Sequence, residues 1–177
     1  MQFESAAQEA TSMGDDTTLQ DLIGTTTQVS TVVVERGPVS FFAECVFDDD
    51  PATKDAAAAV DAGFDSIVAT PTFPIAMEAW GRFPELQNPE QQGPGMMAAL
   101  APLMAKGGLI LHGEQSFSYH RPVMVGDVLR GVGTIVDAYA KESKGKTMTF
   151  VVTETVWSDA STGDPVVTSR FNIIHRI

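Results

Sequence analysis

The stretch that decides the fold is LHGEQSFSYHRPVMVGDVLRG, residues 111–131. Its first part alternates in polarity, with Phe117 and Tyr119 two residues apart, which is typical of a β-strand. Pro122 and the Gly-Asp pair after it supply turn chemistry, and a second strand begins at Val128. We therefore predict that this stretch forms the first hairpin of a long antiparallel sheet.

The C-terminal part of the chain continues this pattern. Three long strand-like runs lie at residues 127–140, 146–158 and 165–176. The loops between them are short and rich in Gly, Ser and Asp, which favours hairpin connections. These runs predict an antiparallel meander. The segment from Thr26 to Glu35 is rich in Thr and Val, and we expect it to rejoin the same sheet.

The front half of the chain changes to helical spacing. Apolar residues recur at that spacing between residues 38 and 47, which predicts a short amphipathic helix. Cys45, the only cysteine, would lie in the core of the protein and not act as a nucleophile, and no internal disulfide is possible. Further helical stretches are predicted at residues 55–62 and 96–106.

One segment has the features of a central helix. Its apolar face would consist of Phe73, Ala76, Met77 and Trp80. Thr72 is placed to cap this helix, and Pro74 is tolerated in the first helical turn. We expect it to be buried against the sheet. The fold class is therefore α+β, with a curved antiparallel sheet wrapped around a central apolar helix.

Composition limits the kinds of protein to consider. The 177 residues suit a single domain at 17–177, with a flexible extension over residues 1–16 that is small, polar and acidic. The formal charge of −12 argues against binding to nucleic acid, which needs clustered Lys and Arg. No apolar run is long enough to span a membrane, and the first ten residues, MQFESAAQEA, lack the basic and apolar regions of a signal peptide. We expect a cytoplasmic location.

Several short motifs, in a fixed order, resemble one known family. They are VERG at 34–37, ATPTFP at 69–74, LHGEQ at 111–115, YHRP at 119–122 and GD at 126–127. Together they resemble the N-terminal type of MaoC-like dehydratase domain, which has the hot dog fold of the hydroxyacyl-thioester dehydratases.

This resemblance implies a hydro-lyase. Members of the family interconvert a β-hydroxyacyl thioester and its trans-2-enoyl partner by removing or adding water. The substrate is carried on coenzyme A or a carrier protein, and we expect no cofactor. We also expect no metal site, because the sequence has no H-x-x-H or H-E-x-x-H spacing. The reaction requires a base for the water, an acid for the α-carbon and donors for the thioester oxygen. Active members supply the acid–base pair from a pattern close to G-D-x-N-P-x-H.

The chain departs from this pattern at important positions. Asp48 and Pro51 fall on the aspartate and proline of the motif. Phe47 stands where glycine is expected, Asp50 where asparagine is expected, and Thr53 where histidine is expected. A threonine hydroxyl cannot act as a base near neutral pH. The chain therefore lacks one half of the acid–base pair that the family uses.

In its incomplete motif, the chain resembles one half of the dehydratases that are built from two unlike hot dog halves. In those enzymes one half is catalytic and the other shapes the acyl tunnel. We predict that this chain is the substrate-accommodating half, that a second MaoC-like chain carries the full motif, and that the isolated chain is weak or inactive. Three alternatives stay open. The chain would be a self-sufficient homodimer using Asp48 with His112 or His120, a non-catalytic acyl-thioester binding protein, or a hot dog thioesterase.

The resemblance and the side-chain chemistry together select the candidate site. Asp48 and His112 are the catalytic candidates, and the substrate-binding candidates are Asp48, Thr70, Thr72, Phe73, Trp80, His112 and Gly113. Amide groups at the start of the helix near Thr72 would bind the thioester oxygen. His120 and Arg121 would hold the turn before Pro122 or face a partner, and His175 would be structural or exposed.

Overall fold

The computed structural model describes residues 19–143 and 145–177. The predicted extension over residues 1–16 lies outside the described residues. The strands are β1 (Thr26–Val33), β2 (Leu109–Tyr119), β3 (Val128–Ser143), β4 (Lys146–Asp159) and β5 (Pro165–Arg176). They form one five-stranded sheet in the order β1-β3-β4-β5-β2, with antiparallel neighbours. This confirms both the meander and the return of the first strand to the sheet.

The predicted hairpin between β2 and β3 is wrong. β2 pairs with β5 at one edge of the sheet, and β4 and β5 separate it from β3. The connection instead pairs with an earlier segment, since the Ala69 amide donates to the Val123 carbonyl and the Val125 amide donates to the Ile67 carbonyl. Turn chemistry indicates where the chain bends, but it does not fix which strand the next strand meets.

Four helices lie wholly within the described residues, together with several 3-10 turns, and residues 19–20 are also helical. The helices are α1 (Arg36–Cys45), α2 (Ala56–Asp61), α3 (Met77–Gly81) and α4 (Met96–Met104). The 3-10 turns are Pro51–Thr53, Phe73–Ile75, Pro84–Leu86 and Pro89–Gln91. The predicted helices at 38–47, 55–62 and 96–106 are confirmed with small shifts at their ends. No helix in the described ranges is long and apolar enough to cross a membrane.

The predicted central helix is shorter than expected. It begins as the 3-10 turn at Phe73–Ile75, and only the five residues of α3 are α-helical. The Ile75 amide donates to the Thr72 carbonyl and the Ala76 amide to the Phe73 carbonyl, which is 3-10 spacing. The Thr72 side chain makes no capping bond, so its predicted role as a cap is wrong.

The core consists of two apolar clusters on the helix-covered face of the sheet. The α3 cluster contains Val32, Val34, Val39, Ile67, Ala69, Phe73, Met77, Val123, Leu129, Trp157, Val166 and Val167. The α4 cluster contains Leu19, Leu100, Leu103, Ile135, Ala138, Val151 and Ile173. The α+β hot dog architecture is confirmed, with α3 and α4 together covering the sheet.

Cys45 is exposed, which corrects the prediction that it fills the core. It is the last residue of α1, and the side of that helix that is buried carries Val39 and Ala43. Phe41 and Val46, which share the predicted helical spacing with Cys45, are also exposed, at 58% and 43%. The spacing therefore predicted the helix but not which of its faces is buried.

Candidate functional site

The segment that corresponds to the family motif, residues 47–53, is called the motif loop here. It begins directly after α1 with a Schellman turn, because the Phe47 amide donates to the Glu44 carbonyl (3.2 Å) and the Asp48 amide to the Ala43 carbonyl (2.9 Å). Phe47 has a φ of 57°, a left-handed conformation that favours glycine. This backbone requirement accounts for the glycine of the family motif. Phe47 adopts the same left-handed backbone conformation, and it is 89% exposed.

The turn directs Asp48 towards a threonine. The Thr70 hydroxyl donates a 2.7 Å hydrogen bond to Oδ2 of Asp48. Oδ1 of Asp48 accepts a bond from the Asp50 amide at 3.1 Å. Thr70 is buried and Asp48 is half-buried. Both carboxylate oxygens therefore have partners within the chain.

Thr53, at the histidine position of the motif, has a structural role. Its hydroxyl donates to the Asp50 carbonyl at 2.8 Å, and the residue is only 5% exposed. The Asp50 side chain caps the same 3-10 turn by accepting from the Ala52 amide at 2.9 Å. Asp49 points to solvent, with Lys54 at 3.5 Å. The motif loop is thus held by short-range hydrogen bonds.

No histidine of the described chain is hydrogen-bonded to Asp48. Among the described residues, the Asp48 carboxylate accepts hydrogen bonds from the Thr70 hydroxyl and the Asp50 amide. His112 packs edge-on against Phe171 with ring centroids 4.4 Å apart. His175 is buried with Nε2 2.6 Å from the Gly107 carbonyl oxygen, which confirms its structural role.

Among the described residues, no cluster of His, Cys, Asp and Glu could hold a metal ion.

His112 contributes to a cavity of about 270 Å³ between the sheet and α3, called the concave cavity here. A β-bulge in β2 shapes it, since His112 pairs with Ile173 while Gln115 pairs with Phe171. The bulge aims His112 and Gln115, three residues apart, into the same cavity. Gly113 lies in the bulge, where a Cβ would be 2.8 Å from the Asn172 carbonyl oxygen. The structure thus gives Gly113 a backbone role.

Sequence reasoning missed most of the lining of the concave cavity. The polar lining residues that it missed are Thr27, Gln28, Glu78, Gln115, Thr153, Thr155 and Ser169. The sequence of β4 gives one indication of a polar lining. Its inward-facing positions from Val151 to Trp157 include two threonines, Thr153 and Thr155. Whether these threonines meet polar neighbours on other strands depends on the register between the strands. One sequence read alone does not give that register.

His120 lines a second cavity of about 370 Å³, together with Ala69, Pro71 and Tyr119. Ala69 and Pro71 flank Thr70, so this cavity lies next to the contact between Thr70 and Asp48. The Tyr119 hydroxyl donates to the Pro71 carbonyl at 2.6 Å. Burial raises the pKa of Tyr119 to about 12, because removal of water disfavours the charged phenolate.

Trp80 and Phe73 belong to an aromatic cluster between α1 and α3. The Trp80 ring lies 6.0 Å from Phe41, 6.1 Å from Phe42 and 6.4 Å from Phe73, measured between ring centroids. Phe73 is buried in the α3 cluster of the core. These two candidates for substrate contact therefore lie together, and their neighbours are aromatic side chains of the protein.

Three amide groups at the start of the predicted central helix already donate hydrogen bonds within the chain. The amides of Phe73, Ile75 and Ala76 donate to carbonyls within the same turn, and Pro74 has no amide hydrogen. These three amides therefore have partners within the chain, and binding of the thioester oxygen near Thr72 stays a prediction.

Arg121 has the turn-holding role that the sequence predicted. Its guanidinium donates to both oxygens of Asp127, at 2.8 and 3.0 Å, and lies 3.5 Å from Asp159. The hydrogen bonds to Asp127 raise the pKa of Arg121 above its usual value. Asp127 also accepts from the Met124 amide at 2.9 Å. This cluster fixes the path between β2 and β3.

Comparison with known proteins gives a family and close structural parallels. Residues 21–169 match the model of the family described as FAS1-like, dehydratase domain region. A UPF0336 protein of Thermobifida fusca is 32% identical over 143 residues, covering 81% of this chain and 83% of the relative. A UPF0336 protein of Saccharopolyspora erythraea is 28% identical over 145 residues, covering 81% of each.

Two similar solved structures are two-subunit complexes from Mycobacterium tuberculosis. One is HadBC, a 3R-hydroxyacyl-ACP dehydratase, with a TM-score of 0.64, 21% identity, and coverage of 86% of this chain and 96% of that chain. The other is ChsH1-ChsH2, with a TM-score of 0.65, 18% identity, and coverage of 85% and 88%. These similarities establish the hot dog fold. Because the family model matches most of its length, the chain belongs to the FAS1-like dehydratase domain region family.

Proposed function

We propose that this chain is the substrate-accommodating subunit of a heteromeric 3-hydroxyacyl-thioester dehydratase, or enoyl-thioester hydratase, whose partner carries the catalytic Asp/His pair. One observation carries the proposal. Thr53 occupies the histidine position of the motif, and its hydroxyl is buried and donates to the Asp50 carbonyl. The motif loop therefore keeps its fold without the imidazole that would complete an acid–base pair.

The chemistry of the reaction supports this division of labour. Hydration of an enoyl thioester needs one group to take a proton from water and another to protonate the α-carbon. Asp48 remains, but its carboxylate is bonded to Thr70 and to the Asp50 amide. The homodimer that pairs Asp48 with His112 or His120 receives less support, because neither histidine hydrogen-bonds to Asp48 within the described chain.

The two edges of the sheet differ in a way that favours a partner at β2. The Gln87 side chain covers β1 at Thr31, accepting from its amide at 3.0 Å and donating to its carbonyl at 2.8 Å. β2 is an edge strand with exposed apolar residues, including Leu109 at 60% and Leu111 at 40%. Long apolar edge strands pair readily with another chain. A second MaoC-like subunit would complete the sheet there.

The substrate of the proposed complex is an acyl thioester of coenzyme A or a carrier protein. Both carriers are anionic, while this chain has a formal charge of −12. Attraction between opposite charges would therefore have to come from a local basic patch or from the partner subunit.

An absorbance assay of enoyl-thioester hydration tests the proposal. Crotonyl-coenzyme A and longer enoyl thioesters are given to the chain alone and to the chain co-expressed with a MaoC-like protein that has the complete motif. We expect turnover only from the pair. High turnover by the isolated chain would overturn the proposal. Release of free coenzyme A would indicate a thioesterase, and binding without turnover by any pair would indicate a silent binding protein.

A further inference from the structure

A band of polar side chains crosses the inner face of the sheet between the two apolar clusters of the core. The strand register places its members side by side, since Gln28 pairs with Gly133, Gly133 with Thr155, and Thr155 with Ser169. The polar side chains thus lie at one level on β1, β4 and β5, with Gly133 of β3 between the first two. We call it the polar band, and Thr153 and Gln115, next to it in the same cavity, belong to it.

The position of the polar band is unusual for its chemistry. Inward-facing residues of such a sheet normally pack against the helices and are apolar, as Val151 and Trp157 are at either side of the band in β4. Thr153 is 3% exposed and Ser169 is 8% exposed. Burial of a hydroxyl group costs about 1–3 kcal/mol unless it is hydrogen-bonded. A band of this kind therefore needs partners.

The hydroxyl groups of the polar band have at most long hydrogen bonds within the described chain. The Thr153 hydroxyl donates to the Phe171 carbonyl at 3.4 Å, and the Gln115 amide donates to the Ser169 hydroxyl at the same 3.4 Å. Both distances exceed the usual range of about 2.7–3.2 Å. The hydroxyl groups of the polar band therefore retain hydrogen-bonding capacity directed at the concave cavity.

The opposite wall of the concave cavity combines apolar and polar groups. Pro74, Ile75 and Met96 form apolar parts of the lining, while Glu78 accepts a 2.6 Å hydrogen bond from the Gln28 side chain. The volume of about 270 Å³ lies just below the range of about 300–1,000 Å³ for small-molecule pockets. The cavity thus suits a small group that has both apolar surface and oxygen atoms.

We propose that the concave cavity binds the acyl part of the substrate, and that the polar band selects acyl groups with a hydroxyl or carbonyl oxygen away from the thioester. This inference rests on the proposed function and adds a substrate class to it. A plain alkyl chain would remove water from the band and leave its hydroxyl groups without partners, which is unfavourable. An acyl group with an oxygen at the right depth replaces that water.

Calorimetric titration of the full-length chain tests the proposal with three probes. They are hexanoyl-coenzyme A, 6-hydroxyhexanoyl-coenzyme A and free coenzyme A. One recovered hydrogen bond corresponds to about tenfold in affinity, so we expect 6-hydroxyhexanoyl-coenzyme A to bind about tenfold more tightly than hexanoyl-coenzyme A. In Thr155→Val and in Ser169→Ala, this preference should fall below threefold.

Thr149→Val is the matched control. Thr149 is a buried threonine on the same face of β4, but it does not line the concave cavity. The preference for the hydroxylated probe should be unchanged in this variant. Circular dichroism and thermal melting of each variant establish that it is folded, and removing a hydroxyl from an inward-facing strand position is expected to preserve the fold.

Each contrary outcome is distinct. Equal binding of the two thioesters overturns the polar band as a selector, while turnover by the two-subunit complex would leave the proposed function standing. If Thr155→Val weakens free coenzyme A as much as the hydroxylated thioester, the band binds the amides of the pantetheine arm and the acyl assignment is wrong. If neither thioester binds, this inference fails, and absence of turnover by the complex would show whether the proposed function fails with it.

Discussion

The Thr70 hydroxyl donates a 2.7 Å hydrogen bond to the carboxylate of Asp48. Thr70 comes from the segment just before α3, and Asp48 comes from the turn after α1, so this bond joins two separate parts of the chain. The carboxylate that the family motif would pair with a histidine is here paired with an alcohol. The Thr70 hydroxyl cannot take the place of a histidine as an acid–base group, because an alcohol does not accept a proton near neutral pH.

Replacing Phe47 with glycine should stabilise the protein. Phe47 has a φ of 57° at the end of α1, and this conformation costs a residue with a Cβ roughly 1–2 kcal/mol relative to glycine. Part of that gain is offset by the greater freedom of glycine in the unfolded chain. We expect a net rise of about 1 kcal/mol in the free energy of unfolding, measured by urea titration.

Gly63→Ala is the matched control for that variant. Gly63 ends α2 with the same pair of hydrogen bonds, from Gly63 to Val60 and from Phe64 to Ala59, and it has a φ of 89°. A Cβ at Gly63 would have nothing within 4 Å, so only the backbone conformation is tested. This variant should lose about 1 kcal/mol. A loss of stability in Phe47→Gly would show that the phenyl ring contributes more than the strain costs.

Tyr119 should lose its proton at a higher pH than an ordinary tyrosine. The chain has two tyrosines, so Tyr139→Phe leaves Tyr119 as the only one. Burial raises the pKa of Tyr119 from 10.0 to about 12. Because the folded state favours the neutral phenol, its contribution to stability is present below pH 10.0 and is lost as the pH rises towards 12. Rapid pH-jump absorbance should give a midpoint near 12. A midpoint near 10.0 in the folded chain would contradict the burial of the phenol.

Protonation of Asp159 should lower the stability of the protein at acid pH. Hydrogen bonds from the Ser161 hydroxyl and amide hold the pKa of Asp159 below its usual value of 3.8, and Arg121 adds to the effect. A lowered folded pKa means that the stabilisation is present above pH 3.8 and is lost as the pH falls through the folded pKa. In Asp159→Asn, the free energy of unfolding should therefore fall less steeply below that pH. Parallel curves for the two proteins would be the opposite result.

The exposed edge strand predicts where the partner binds. Replacing both Leu109 and Leu111 with lysine places charges on the edge of β2, where burial of charge opposes strand pairing. We expect recovery of the co-expressed partner in affinity purification to fall at least tenfold. Leu86→Lys is the control, because Leu86 is also exposed (37%) but lies outside the strands. Undiminished recovery of the partner with the double variant would place the interface elsewhere.

The sequence was informative where structure depends on local pattern. Alternation of side chains and turn residues predicted the meander of β3 to β5, and helical spacing predicted α1. The motif comparison placed Thr53 at the histidine position, and the structure then supplied its hydrogen bond to the Asp50 carbonyl.

The errors and omissions concern contacts between distant parts of the chain. The residues around Pro122 form a turn as predicted, but they pair with the segment near Ala69 and carry β2 away from β3. The polar band was missed because Gln28 and Ser169 become neighbours only through the register of four strands. Such pairings depend on the packing of the whole sheet and not on any one stretch of sequence.

Turnover by the two-subunit complex carrying Asp48→Asn tests the central claim most directly. Asparagine keeps the shape of the side chain and can still accept from Thr70, but it cannot take a proton. Because the partner supplies the acid–base pair in our account, we predict a turnover rate within about twofold of the unaltered complex, and loss of turnover when the motif histidine of the partner is replaced by alanine. General acid–base groups contribute about 10²–10⁴-fold. A loss of that size from Asp48→Asn would show that this chain carries out catalysis itself.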